Sequence, residues 1–403
     1  MNRARNPFAP GAGHQPPELA GRDKIMEDAS VALERIINGR PDRGHLLLGL
    51  RGVGKTVLLN RIEQLALERG YHVALVEAPE EKRLAELLLP KLKSILVKLS
   101  RLERAKALAM RALGVVRSFA SAFKVNLAGV EIEVSAEEGV ADSGDLESDL
   151  PELLLVVGEA AAAAGTGVAI LIDEVQYLSP NDLSALIVAI HRVSQRNQPV
   201  VLFGAGLPQL AKLAGDAKSY AERLFRYPPV DKLDEKAAEA AIRKPIEGEG
   251  ATIDPDAVQL VCERTQGYPY FLQEWGYHSW DTAPASPISV ADVEAASIDA
   301  ATRLDEDFFR VRFDRLTDRE KDYMRAMAEL GPGPHRSGDI ATALKIELQS
   351  AAPLRDSLIK KGMIYSEQHG RNAFTVPMFD DFMRRAMPDW TPPAPRKSGK
   401  KKH

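Results

Sequence analysis

Cysteine is almost missing from this 403-residue sequence: Cys262 is the only one. A lone thiol excludes an internal disulfide and a cysteine-rich metal site, and it fits a reducing, cytoplasmic setting. Long apolar runs are missing too. The most apolar stretch, Leu153 to Ile172, carries Glu159 and is broken by Gly165 and Gly167. It reads as a helix followed by a buried strand, and no membrane-spanning segment is expected. The first residues, rich in Pro and Gly, lack the apolar core of a secretory leader, so secretion is not expected. Nor is there an excess of positive charge: 53 Lys and Arg stand against 57 Asp and Glu, a formal net charge of -4. That balance argues against a protein that coats nucleic acid along its whole surface and confines any such contact to one module. What is present is an ordinary globular composition, 45% hydrophobic and 27% charged, in a chain long enough for two or three domains.

Between His45 and Pro229, short apolar runs alternate with segments of helical period. The runs HLLLGL, YHVALVEA, VAILID, VVLFGA and, less clearly, FRYPPV predict an α/β core with a parallel sheet and helices on both faces. This core spans 21–232 and follows an N-terminal extension at 1–20. One helix is well marked: Ser179 is its N-cap, Pro180 takes the first helical position, and Leu183, Leu186, Ile187 and Ile190 share one face. Residues 95–150 depart from the alternation. A basic amphipathic helix at RLERAKALAMR, a hairpin across VNLAGVEIEV and an acidic Gly/Ser loop read as an insertion on the core. The basic helix is either a solvated face or a site for an acidic partner. From Leu233 the strands stop; Asp254-Pro255 starts a helix and Gly267 ends it, which predicts a helical lid over 233–302. In 303–387 three helical segments precede an apolar hairpin, MIYSEQHGRNAFTVP, turning near Gly370, the order of a winged-helix domain. The basic tail at 388–403 is too polar to fold alone.

The segment Gly49-Leu-Arg-Gly-Val-Gly-Lys-Thr56 fits G-x-x-x-x-G-K-[ST] and lies between an apolar strand and an amphipathic helix, the context a P-loop requires. Glycines let backbone N–H groups turn inward around phosphates, and the helix N-terminus adds its positive end. Lys55 is expected on the β and γ phosphates of ATP, and the Thr56 hydroxyl on Mg2+. Gly49, Arg51, Gly52, Val53, Gly54, Lys55, Thr56 and Val57 are the residues expected to line the nucleotide. The run Ile170-Leu-Ile-Asp-Glu174 is a strand ending in two acids at the sheet edge where ligands of open sheets bind. Asp173 is expected to hold Mg2+ and Glu174 to polarise the attacking water. A metabolite kinase would need an acceptor pocket in place of that second carboxylate, so the pair favours hydrolysis.

With these motifs in that order, the chain resembles AAA+ type ATPases of the branch that holds the origin-recognition proteins and the STAND signalling ATPases, over about Pro17 to Met387. The resemblance implies several further roles. Glu18-Leu-Ala-Gly-Arg22 is similar to the segment that packs on the adenine, so Gly21 and Arg22 become nucleotide contacts. Gln176 is similar to a polar residue that either relays to the γ phosphate or packs at the core edge. The strand Val200 to Ala205 takes the sensor-1 position, yet it continues Gly204-Ala-Gly206 where many relatives place Asn, Ser or Thr. That departure implies slow, switch-like turnover. Arg223 and Arg226 lie where an arginine finger is found, acting on a neighbouring subunit or held in internal salt bridges. Gly267-Tyr268-Pro269 is similar to the lid's G-x-P element, with no sensor-2 arginine beside it.

In the winged-helix segment Tyr323, Met327 and Leu330 are expected to form the buried stripe of the first helix, and Leu354 and Leu358 to anchor the third. Arg355, Lys360, Lys361 and Arg371 are the cations that would meet the phosphates of double-stranded DNA, with Asp356 and Glu367 interrupting them. The alternative is a STAND-like switch or scaffold with little hydrolysis, whose winged helix binds protein.

Overall fold

The five apolar runs form one parallel sheet. A computed structural model describes residues 1–11, 13–79, 82–126, 134–368 and 370–393. Strands β1 (Gly44–Leu48), β2 (Tyr71–Glu77), β3 (Gly167–Asp173), β4 (Val200–Gly206) and β5 (Phe225–Arg226) lie in the order β2-β3-β4-β1-β5, every pairing parallel. β3 and β4 are buried along their whole length, which is why they read as unbroken apolar runs. With β4 between β1 and β3, the loop after β1 and the acids after β3 face each other across the carboxyl end of β4.

Helices α1 (Asp23–Ile37), α2 (Lys55–Glu68), α3 (Leu84–Leu99), α4 (Lys106–Ala122), α5 (Leu146–Ala164), α6 (Pro180–Gln195), α7 (Leu210–Ala217) and α8 (Ala221–Leu224) accompany the sheet. Leu33 of α1 and Leu58 and Ile62 of α2 cover the face that carries Leu47, Leu171 and Phe203. α3 to α6 cover the face that carries Leu46, Ile170 and Leu202, as the two-residue period of a strand requires. α6 starts as expected: the Ser179 hydroxyl accepts from the Asp182 N–H. The basic helix begins only at Lys106, because residues 101–105 are turns. Its basic segment is solvated, with Lys106, Leu108, Met110 and Arg111 exposed, whereas further along α4 Leu113, Val116 and Phe119 are buried in the layer shared with α3 and α5. The expected hairpin falls largely on 127–133, outside the described residues, as does the tail beyond 393.

The lid consists of α9 (Glu235–Gly248), α10 (Pro255–Thr265), α11 (Pro269–Thr282) and α12 (Val290–Arg303). Cys262 in α10 is half-buried; burial and the neighbouring Glu239, Glu235 and Glu263 push its thiol up to about 11. The N-terminal extension is fastened to the lid. Phe8 is buried against Gly276, where a Cβ would lie 2.6 Å from its ring. Asn6 donates to the Tyr277 carbonyl at 3.0 Å, and the Trp280 indole donates to the Asn2 carbonyl at 3.0 Å.

A bridge follows α12, a π-helical turn over Leu304–Arg310 and the short α13 (Val311–Phe313). The C-terminal unit then runs α14 (Asp318–Glu329), β6 (His335–Arg336), α15 (Ser337–Ala343), α16 (Leu348–Lys360), β7 (Ile364–Gln368), β8 (Arg371–Phe374) and α17 (Phe379–Ala386). Its antiparallel sheet has the order β6-β8-β7, and Gly370 turns the hairpin at φ 75°. Tyr323, Met327 and Leu358 are fully buried. Leu330 is not: it is the C-cap of α14, past the helical stripe, and 40% exposed. Among the described residues no helix is long and apolar enough to cross a membrane.

Candidate nucleotide-phosphate site

The loop after β1 owes its shape to glycine. A Cβ on Gly49 would lie 2.1 Å from the Val230 carbonyl oxygen, so no side chain fits there. Gly52 and Gly54 adopt φ of 81° and 92°, backbone that side-chain-bearing residues rarely tolerate. The loop delivers Lys55 and Thr56 as the first residues of α2, where free N–H groups and the helix dipole favour an anion. Lys55 is buried and donates to the Leu50 carbonyl at 2.7 Å. The Thr56 hydroxyl donates to Asp173 Oδ2 at 2.5 Å, and Asp173 Oδ1 accepts from the Glu174 N–H at 2.8 Å. Burial pushes the Lys55 ammonium below its ordinary value, with Glu174 and Asp173 opposing. Burial also pushes the Asp173 carboxyl up, with the Thr56 hydrogen bond opposing. The Thr56 hydroxyl and Asp173 carboxylate are hard oxygen donors suited to Mg2+. Among the described residues no group of three His, Cys, Asp or Glu is placed to hold a metal, so phosphate oxygens and water would complete such an ion's shell.

Glu174 sits in left-handed backbone, φ 54° and ψ 39°, which costs a non-glycine residue about 1–3 kcal/mol and is tolerated chiefly where surroundings enforce it. Gln176 is one such enforcer. Its amide donates to the Glu174 carboxylate and its oxygen accepts from the Leu207 N–H at 3.1 Å. A Cβ on Gly206 would lie 2.6 Å from that oxygen, so the glycine at the end of β4 leaves the room that Gln176 fills. Gln176 thus bridges Glu174 to the strand end that lacks a polar side chain of its own.

Arg22 is buried and donates to the Val53 carbonyl at 3.3 Å and to the Asp231 carbonyl. Gly21 beside it, at φ 67°, faces Ala237 of α9. This pair therefore lies between loop and lid. From the lid, Tyr268 is buried, Pro269 opens α11, and the Tyr270 N–H donates to the Gly52 carbonyl at 3.2 Å. Val57 lies in the first turn of α2. Arg51 turns toward the C-terminal unit: its N–H donates to the Thr375 carbonyl at 3.1 Å and its guanidinium to the Tyr177 hydroxyl at 2.6 Å.

Arg223 and Arg226 are not brought to this site. Arg226 lies in register with His45 at the amino end of β1 and pairs with Asp42 at 3.5 Å; Arg223 is exposed on α8. The four-cation surface expected on the C-terminal unit is also interrupted. Arg355 pairs with Asp356 at 2.8 Å, and Lys361 with the buried Glu320 at 2.7 Å. Lys360 is exposed and Arg371 half-buried. Two residues carried no motif and were missed. The Phe308 ring comes within 3.7 Å of where a Cβ on Gly52 would lie, and the Arg312 guanidinium stacks 4.0 Å over that ring. The one trace of them in the sequence is an arginine within the aromatic run DFFRVRF.

A glycine-bent anion cradle joined to an acidic strand tip on a parallel sheet defines a P-loop nucleotide-binding fold. Residues 18–203 match the family described as AAA ATPase domain, and residues 306–383 match a domain of unknown function (DUF8462). No curated protein matches the chain. Among solved structures it is similar to a Walker-type ATPase of Pyrococcus abyssi, 18% identical over 92% of this chain and 97% of that one, TM-score 0.59. It is less similar to the RuvB Holliday junction branch migration motor of Thermotoga maritima, 17% identical over 89% and 94%, TM-score 0.45. The ORC1 protein of Aeropyrum pernix, solved with DNA, is 15% identical over 92% and 94%, TM-score 0.44. At such identity the first likeness is one of fold, and the fold is that of P-loop ATPases.

Proposed function

We propose that the chain binds ATP and Mg2+ through Gly49–Thr56 and Asp173, hydrolyses ATP slowly to ADP and phosphate, and uses nucleotide state to move a helical lid and a C-terminal winged helix. One observation carries this reading: Lys55, the Thr56 hydroxyl, Asp173 and Glu174 converge, with Thr56 Oγ1 at 2.5 Å from Asp173 Oδ2. Lys55 would neutralise the β and γ phosphates, Asp173 and Thr56 would hold the metal, and Glu174 would polarise water. Gly21, Arg22, Tyr268 and Pro269 would close on the base from the lid side. Arg223 remains free to serve a neighbouring subunit. Lys55→Ala is expected to weaken ATP binding at least tenfold, and Glu174→Gln to keep binding while lowering phosphate release at least tenfold. Unchanged affinity in the first variant would overturn the reading.

A second reading, a scaffold that ATP locks with little hydrolysis, gains support from the C-terminal unit. The cations meant for DNA are partly neutralised, and a Cβ on Gly362, just past α16, would lie 2.5 Å from Arg51 and 2.8 Å from the Tyr177 hydroxyl. The end of that helix is thus turned toward the ATPase core. Equal turnover in wild type and Glu174→Gln would favour the scaffold. Hydrolysis stimulated by duplex DNA, with steep salt dependence, would favour DNA.

A further inference from the structure

Arg312 is a cation without a partner of opposite charge. Among the described residues no carboxylate lies within salt-bridge distance of it, and its Nε is buried with no hydrogen-bond partner. Among the described residues its one polar contact is donation to the Phe308 carbonyl. The Nε of Arg51 is likewise buried and unpartnered. Phe308 fixes where the Arg312 guanidinium stands, because its ring lies under that group, stacks on Tyr270 at 4.7 Å and brings its edge near Gly52. Burial and then the charge of Arg51 push Arg312 down to about 10, with Tyr270 and Glu174 among the groups that act on it. Two forked donors that repel each other, Arg51 within the anion-binding loop and Arg312 over the ring that packs near Gly52, lack an anion with several oxygens.

We propose that Arg312, carried on the bridge between lid and C-terminal unit, binds the terminal phosphate of the nucleotide together with Arg51 and so makes the bridge a reader of triphosphate against diphosphate. The proposal rests on the P-loop reading above. It adds a residue from outside both the P-loop and the lid, and it gives the third phosphate a direct grip on the segment leading to the C-terminal unit.

The test is calorimetric titration of the full chain with adenylyl imidodiphosphate and with ADP, both with Mg2+. Arg312→Met is expected to bind the triphosphate analogue at least tenfold more weakly while ADP affinity stays within threefold, so ADP binding also serves as the control for folding. Arg51→Met is expected to weaken binding of the triphosphate analogue as well. Arg312→Lys keeps the charge and the stem over Phe308, and is expected to recover part of the selectivity. Equal losses for both nucleotides, or no loss, in an Arg312→Met protein that melts like wild type would overturn the proposal. So would a Lys variant as unselective as the Met variant. Lys55→Ala separates the two failures: if it binds both nucleotides like wild type, the P-loop reading itself is wrong, whereas loss there with an indifferent Arg312→Met removes only the arginine.

Discussion

At the scale of single residues, the arrangement around Glu174 shows how one chain manages without a polar side chain at the end of β4. Gln176 reaches from two residues downstream, holds the Glu174 carboxylate and is itself held by the Leu207 N–H. Under the proposed function it is a positioning residue, which would act on the nucleotide through Glu174. Gln176→Leu, which keeps the volume, is therefore expected to lower kcat about 10- to 100-fold, or ~1.4–2.7 kcal/mol of barrier, and to leave ATP affinity within threefold. Gly206→Ala should act in the same direction, since its Cβ would fall 2.6 Å from the Gln176 oxygen. Phosphate release and equilibrium nucleotide binding, measured on the same preparations, separate the two quantities. An unchanged kcat, or a fall in affinity that matches the fall in kcat, would reduce Gln176 to packing.

At the scale of elements, the division of labour between local signal and tertiary contact explains what could be read in advance. β3 and β4 were legible because burial on both faces leaves an unbroken apolar run, and α6 because Ser179-Pro180 is a start signal by itself. The P-loop and the Asp173-Glu174 pair were legible because spacing and flanking elements coincide. The docking of Phe8 on Gly276 and of Thr375 on Arg51 joins distant segments, and no local periodicity announces such contacts. The ion pair of Lys361 was not legible for the same reason. Helical spacing put it with Arg355 and Lys360, but the capping box of Thr317 and Glu320 at the start of α14 brings a buried carboxylate beneath it. Burial alone would raise Glu320; the hydrogen bonds from Lys361, Ser357 and Thr317 outweigh it and hold the carboxyl at about 2, against an ordinary 4.5. Because its folded value is depressed, the stability it contributes is fully present above about 4.5 and is lost as pH falls toward 2. Lys361→Met should then destabilise the C-terminal unit by about 1–3 kcal/mol at neutral pH, with a deficit that shrinks in acid. Urea denaturation followed by tryptophan fluorescence, at pH 7 and near pH 3, checks both. Unchanged stability combined with weaker duplex binding would return Lys361 to the DNA surface.

At the scale of the whole molecule, the phosphate loop and the C-terminal unit are joined by a seam of rings. Tyr270 stacks on Phe308, Phe308 meets Phe309 at 5.5 Å, and Phe309 meets Phe382 at 5.3 Å and Phe379 at 5.7 Å. Phe379 in turn meets Phe374 of β8 at 6.1 Å. Close-packed aromatic cores do not compress, so a displacement of Phe308 by a phosphate held on Arg312 must move its neighbours or be blocked by them. Phe309 is the ring to remove, because it leaves the Arg312–Phe308 pair standing while opening a gap toward α17. Phe309→Leu is expected to cost about 1–2 kcal/mol of stability and to keep affinity for both nucleotides within threefold. It is also expected to abolish the difference in hydrogen exchange at Phe379–Ala386 between ADP and the triphosphate analogue. A wild-type protein that shows no such difference would sink the switch. A Phe309→Leu protein that keeps it in full would show that the signal, if it reaches the C-terminal unit, travels by the direct contact of Arg51 with Thr375 instead.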